Sequence, residues 1–173
     1  LKKDNYDTTT ISINVLKNTE IDVTVNLFAT DKIVIIEDFA NVSCVPCVSS
    51  NKILEQLTNK NFGRKKLVAI KYPTNFPSPS DPFFLANSSD CNARMGYYNI
   101  LFATTTIVDG KLRPTSTDSN DIKNKIYSEL AKVPQFKVVV NDSINGSNYT
   151  INISVNVKDI NNIDFSKLVL HTV

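Results

Sequence analysis

Apolar and polar positions alternate in two stretches near the start of the chain. Ile11, Ile13 and Val15 alternate with polar residues, Lys17-Asn18-Thr19 turns, and Ile21, Val23, Val25 and Leu27 alternate again. A period of two with β-branched residues predicts half-buried strands, here a hairpin over residues 8–29. The pattern then changes. Ile33-Val34-Ile35-Ile36 and Leu67-Val68-Ala69-Ile70 are short continuous apolar runs, as expected of strands covered on both faces. Between them Val48, Ile53, Leu54 and Leu57 fall at helical spacing over residues 48–60. Strand, helix and strand over residues 32–72 make a βαβ unit with a right-handed crossover. Four of the seven prolines crowd residues 72–82 and predict a loop. Residues 81–97 predict one or two short helices. Residues 104–108 predict a strand that turns at Asp109-Gly110 into a short partner over residues 111–114. Ile122, Ile126, Leu130 and Val133 predict a helix over residues 118–132, capped by Asp118 or Ser119 and stopped by Pro134. Alternation returns in Phe136, Val138 and Val140, turns at Asn145-Gly146, and continues through Tyr149, Ile151, Ile153, Val155 and Val157. Lys167-Leu168-Val169-Leu170 begins one more strand.

The fold class is therefore α/β at the centre, flanked by antiparallel strands. Three regions follow: a hairpin over residues 1–31, the α/β domain over 32–133, and a β region over 134–173. The last reads as part of a β-sandwich, and its abrupt end predicts truncation. Composition narrows the function. The 173 residues are 42% hydrophobic and 21% charged, which is enough apolar material for a core. A net charge of +2 argues against a nucleic-acid or anionic-membrane partner. No apolar run approaches the ~20 residues of a membrane span. Leu1-Lys2-Lys3-Asp4 has no apolar leader segment, but a mature exported chain would look the same. The single histidine, His171, counts against a His-centred triad or a His-rich metal site, and four scattered glycines exclude a phosphate-cradling loop. With 21 asparagines, glycosylation-type triplets at Asn87, Asn145, Asn148 and Asn152 arise readily by chance.

The chemistry concentrates in Cys44-Val45-Pro46-Cys47, between a buried strand and the start of a helix. A CxxC beside a βαβ unit is a redox signature. An exposed Cys44 at a helix N-terminus meets free N–H groups and the positive end of the helix dipole, which favour a thiolate. Cys47, one turn along, can attack a mixed disulfide and release the partner. Pro46 suits the first turn, where its missing N–H has no helical partner. Asp38 stands six residues before Cys44 at the end of the strand. A carboxylate buried beneath the dithiol can relay the proton that Cys47 must lose; an ordinary surface or capping aspartate is the competing reading. Glu37, by strand alternation, faces the other way.

Residues 32–132 resemble the thioredoxin superfamily. Within it they resemble most the thioredoxin-like domain of exported bacterial 28-kilodalton outer-membrane-protein-related proteins. The resemblance lies in Val34-Ile35-Ile36-Glu37-Asp38-Phe39 and Cys44-Val45-Pro46-Cys47, then Arg94-Met95-Gly96-Tyr97-Tyr98 and Thr104-Thr105-Thr106-Ile107-Val108-Asp109-Gly110. It implies a thioredoxin-like central sheet and a β-sandwich tail. It also implies an extracytoplasmic location, in the periplasm, outer membrane or cell surface. Three positions depart from thioredoxins. Ser43 replaces the tryptophan before the first cysteine, Val45-Pro46 replaces Gly-Pro, and Ala103 replaces the cis-proline before Thr104. In relatives that loop pairs with substrate backbone and keeps metal off the dithiol. Val45, Pro46, Ala103 and Thr104 are thus the expected substrate-facing residues, and whether the bond before Thr104 is cis is open.

Two functions follow. In the first, the chain is a thiol–disulfide oxidoreductase acting on protein thiols or disulfides without a cofactor or metal, with Cys44 as nucleophile, Cys47 resolving and Asp38 moving the proton. In the second, it is a surface or outer-membrane-associated binding or structural module whose disulfide is a staple. Cys91 reads as a buried apolar thiol, a regulatory or resolving thiol, or one that pairs outside the chain. A zinc site from Cys44, Cys47, Cys91 and His171 has suitable ligand types but scattered spacing. Phe83-Phe84 and Tyr97-Tyr98 are candidates for a groove beside the dithiol or for core. Oligomeric state is not legible.

Overall fold

A computed structural model describes residues 2–13, 22–158 and 163–169. The chain forms two compact units, Leu1–Lys132 and Val133–Val173. The first contains a three-stranded sheet of order β2-β1-β3, with β1 at Val34–Ala40, β2 at Leu67–Pro73 and β3 at Thr105–Val108. β1 pairs parallel with β2 and antiparallel with β3. Helix α1 (Val45–Gln56), extended by a π-helical turn over Leu57–Phe62, is the crossover from β1 to β2. The proline-rich loop leads into α2 (Pro82–Ala86) and α3 (Ser88–Tyr98), and α4 (Ser119–Leu130) follows β3. Asp81 caps α2 and Asp118 caps α4, each carboxylate accepting two backbone N–H bonds of the first turn.

Strand parity sorts the core onto the two faces of the sheet. Val34 and Ile36 of β1 pack with Leu54, Ile122, Ile126 and Leu130, so α1 and α4 share one face. Phe39 and Ile107 pack with Phe84, Cys91, Met95 and Tyr98, so α2 and α3 cover the other. Asp38 thereby points toward α1 and Glu37 toward α3.

Four expectations are corrected. Residues 8–13 and 22–28 carry no strand, and the expected turn lies outside the described residues, which omit 14–21. Among the described residues the two arms meet antiparallel at their base, through the Tyr6–Ala29 bridge and the Asp7 N–H bond to Phe28 O at 2.8 Å. Alternation sets which face a strand would bury, but a strand also needs an edge to pair with. Ile33 and Ile35 are both more than two-fifths exposed, so the continuous apolar run is not covered on both faces at this end. After the Asp109-Gly110 turn the chain makes only a single bridge, Val108–Leu112, in place of a partner strand. Phe165–Lys167 is a 3-10 turn and residues 168 and 169 are not strand; Leu170 lies outside the described residues.

The second unit holds the predicted hairpin, β4 (Phe136–Asn145) and β5 (Asn148–Val157), turning at Gly146 with φ 60°. No helix among the described residues is long and apolar enough to cross a membrane.

A buried carboxylate on α4 gives the first unit an acid limit. Glu129 accepts from Lys132 Nζ at 2.6 Å, and Lys111 Nζ lies 3.4 Å from its other oxygen. Burial pushes this carboxyl up, but the two ammonium groups outweigh it and hold the group below its usual value. A depressed folded value means that the stabilisation is present above the unfolded value, about 4.3, and fades as pH falls through the folded one. Glu129→Gln therefore lowers the urea midpoint at pH 7, and the gap to wild type closes below about pH 4.

Candidate functional site

The loop from β1 into α1 is fixed before the cysteines arrive. Asn41 Nδ2 donates to Thr74 O at 2.6 Å and Ser78 O at 2.9 Å, while its Oδ1 accepts from Ser43 N–H at 2.9 Å. Asp81 Oδ2 accepts from Val42 N–H at 2.8 Å. Asn41 O accepts from Cys44 N–H at 3.0 Å, completing a tight turn. Cys44 then sits at the N-cap of α1 with extended backbone angles, and Pro46 lies in the first turn, as the sequence predicts.

Cys44 and Cys47 form a disulfide, and Cys44 Sγ accepts the Cys47 N–H at 3.2 Å. The same N–H also bonds Cys44 O at 3.2 Å, so the sulfur shares a donor of the first helical turn, an arrangement that favours negative charge there once the disulfide is reduced. One expectation is corrected: Cys44 is not openly exposed. In the disulfide it is 5% accessible and Cys47 3%. Val45 is 82% exposed and Pro46 is exposed as well, so the middle of the motif is its outermost part.

Cys44 lines a cleft of about 370 Å³. Three segments supply the rest of its lining: Ser43, Val45 and Pro46 of the motif, Phe76 and Pro77 of the proline-rich loop, and Leu101, Phe102 and Ala103 before β3. No charged side chain lines it. The Ala103–Thr104 peptide bond is cis, as is Phe76–Pro77. Of the expected substrate-facing residues, Val45, Pro46 and Ala103 line this cleft. Thr104 does not: its hydroxyl points inward, 3.2 Å from Ser50 Oγ and 3.4 Å from Asp38 Oδ1.

Asp38 is fully buried and densely bonded. Oδ1 accepts from Thr106 Oγ1 at 3.1 Å and from Ser50 Oγ of α1 at 3.4 Å. Oδ2 pairs with Lys71 Nζ at 3.1 Å, and Lys71 also donates to Asn51 Oδ1 of α1. Both carboxylate oxygens thus have partners, which is the condition for keeping a carboxylate in an interior. The surface or capping reading of Asp38 is set aside.

Sequence reasoning passed over Asn41, Ser50, Lys71, Asp81 and Thr106. Two of them had a signal. Lys71 interrupts an apolar strand and is the direct cross-strand partner of Asp38 in the β1–β2 register. Asp81-Pro82 is a helix-start dipeptide. Ser50 and Thr106 had none, because a lone hydroxyl in a helix or strand gives no pattern.

The remaining candidates separate. Cys91 is a free, buried thiol among Phe39, Phe84 and Met95, and burial first, then Asp90 and Asp81, pushes it above its ordinary value. That fits the reading as a small apolar core residue. His171 lies outside the described residues, and among those described no group of three His, Cys, Asp or Glu could hold a metal ion. Phe84 and Tyr98 are core; Phe83 and Tyr97 are exposed, but none of the four lines the cleft over Cys44.

No known protein-family model matches the chain, and no curated protein matches it. Among solved structures, the crystal structure of a protein from Agrobacterium tumefaciens is similar, with a TM-score of 0.53 at 16% identity. The match covers 72% of this chain and 58% of that one, so the chain spans less than two thirds of that protein's length. At this identity the likeness is one of fold alone, and that protein's name carries no activity.

Proposed function

We propose that this chain is a thiol–disulfide oxidoreductase with a thioredoxin-like domain, of the kind found in exported 28-kilodalton outer-membrane-protein-related proteins of bacteria. The observation that carries the reading is the Cys44–Cys47 bond at the N-terminus of α1, with the Cys47 N–H aimed at Cys44 Sγ. A helix N-terminus stabilises the thiolate that attacks a disulfide and equally the thiolate that leaves one. The buried Asp38, bonded to α1 through Ser50, is placed to take up the proton of the second thiol. The substrates are protein thiols or disulfides. The disulfide fits an oxidising compartment, and the chain works in the periplasm, outer membrane or cell surface.

Titration against glutathione buffers tests the reading. The expected result is interconversion of dithiol and disulfide at a measurable potential, with catalysed reduction of insulin. A bond that never reduces, or a wild type inert toward insulin, removes it.

A second reading has one observation in its favour. Both cysteine residues are nearly inaccessible in the closed disulfide. In that case the bond is a staple within a binding or structural module.

The apolar cleft adds a prediction about partners. Phe76 and Phe102 line the same cleft as Cys44, so apolar residues flanking a substrate cysteine gain contact there. Phe102, 66% exposed, contributes binding without supporting the core. Phe102→Asp should slow insulin reduction by about tenfold, the equivalent of one lost apolar contact, while leaving oxidation by a small reagent unchanged. Stopped-flow rates with the two substrates check it.

A further inference from the structure

We infer that Ser50 is a positioning residue that carries the proton between Cys47 and Asp38, held in place by Thr104; this rests on the oxidoreductase reading. Ser50 lies one turn after Cys47 on α1. Residues three apart share a helix face, so the hydroxyl lies on the side of the helix that carries the second sulfur. It is fully buried. Its Oγ donates to Asp38 Oδ1 at 3.4 Å and accepts from Thr104 Oγ1 at 3.2 Å. Thr104 follows Ala103, which lines the cleft, so the hydroxyl chain joins the substrate loop, the helix and the buried carboxylate. A serine hydroxyl donates one proton and accepts others, so it can receive a proton from a thiol while passing its own to a carboxylate.

The step balances as follows. Cys44 is joined to the substrate sulfur in a mixed disulfide. The Cys47 thiol gives its proton to Ser50 Oγ, and Ser50 gives its own to Asp38 Oδ1. The Cys47 thiolate attacks Cys44 Sγ and forms the Cys44–Cys47 bond. The bond from Cys44 to the substrate breaks, and the substrate sulfur leaves as thiolate with the electron pair. The protein dithiol is oxidised and the substrate disulfide reduced. Reversal of the same path returns the proton to Cys47 when the disulfide opens.

Thr106 separates a relay from mere support of the carboxylate. It also donates to Asp38 Oδ1, at 3.1 Å, but it lies on β3 and has no bond to Ser50 or α1 in this network. Loss of its hydroxyl removes a bond to Asp38 and leaves the path from Cys47 intact.

The experiment uses the reduced chain and 5,5′-dithiobis(2-nitrobenzoate). Attack by Cys44 releases one chromophoric thiolate, and attack by Cys47 on the mixed disulfide releases a second, so the two steps are read separately. In Ser50→Ala the first release should keep its rate, and the second should slow roughly tenfold near pH 7. That deficit should vanish above about pH 9, where a thiol of ordinary pKa ionises without help. Ser50→Thr, which keeps the hydroxyl, should restore the second rate, and Thr106→Val should leave it near wild type. The relay is overturned if Ser50→Ala keeps a normal second release, if its deficit persists at high pH, or if Thr106→Val slows the step equally. A wild type that releases no thiolate overturns the oxidoreductase reading itself. A misfolded Ser50→Ala would slow both releases, and Ser50→Thr against Thr106→Val then decides alone: a second rate lower in Ser50→Thr than in Thr106→Val at high as well as neutral pH overturns the relay.

Discussion

Cys44→Ser should abolish insulin reduction, a loss of about three orders of magnitude or more, because the attacking sulfur is gone and no other thiol can replace it. The third cysteine cannot substitute: Cys91 is buried on the opposite face of the sheet and its thiol is pushed upward, away from thiolate. Cys47→Ser should behave differently. The first attack still occurs, since Cys44 keeps its N-cap position, but the mixed disulfide is not resolved and accumulates as a covalent adduct. Mass spectrometry of the trapped species checks the order of the two sulfurs. The staple reading makes the contrary prediction. A bond closing so short a loop contributes about 2 kcal/mol through the unfolded state, so either serine variant would lower the urea midpoint and change nothing else. An inert wild type together with that stability loss would decide for the staple.

What the sequence made legible follows from which interactions leave a periodic trace. The βαβ unit, α4 and the β4–β5 hairpin were readable because apolar residues recur at the spacing of the element that buries them. The CxxC was readable because the spacing itself is the chemistry, and Asp38 because a charged residue stands in an apolar strand six residues before it, although β1 runs on to Ala40. The N-terminal arms misled for a definite reason. Ile11, Ile13 and Val23 alternate but remain exposed, so the pattern specified a face with nothing against it. The hydroxyls around Asp38 were illegible. Ser50, Thr104 and Thr106 come from three different parts of the chain, and only the tertiary fold brings them to one oxygen. Thr104 illustrates the limit. Its place next to Ala103 suggested a residue facing substrate, whereas its side chain turns to the buried network.

Glu37 carries the largest expected effect on stability, and it does so next door to the site. It is buried, and parity turns it from Asp38 toward α3. Arg94 Nε donates to its Oε1 at 2.5 Å, and the Tyr98 hydroxyl donates to Oε2. The Arg94 guanidinium also lies over the rings of Tyr97 and Tyr98, 4.9 and 4.8 Å from their centroids. Glu37→Ala strips the carboxylate from a mostly buried guanidinium and a buried phenol at once. The expected cost is about 3–5 kcal/mol, against roughly 1–2 kcal/mol for Tyr98→Phe, which removes the bond donated to Glu37 and the one accepted from Arg94 Nη2 but leaves the ion pair. Urea titrations of the three proteins at pH 7 check the order. Tyr98 also sets an alkaline limit. Burial, and then the hydrogen bond to Glu37, raises its phenol above the ordinary value. A raised folded value means that the stabilisation is whole below the unfolded value of about 10 and is lost as pH climbs from there toward the folded one. Wild type should therefore lose stability above pH 10 more steeply than Tyr98→Phe. Parallel slopes for the two proteins would show that the phenol does not bear this load. The disulfide should keep its potential in Tyr98→Phe, because Glu37 and Asp38, though adjacent, serve opposite faces of the same strand.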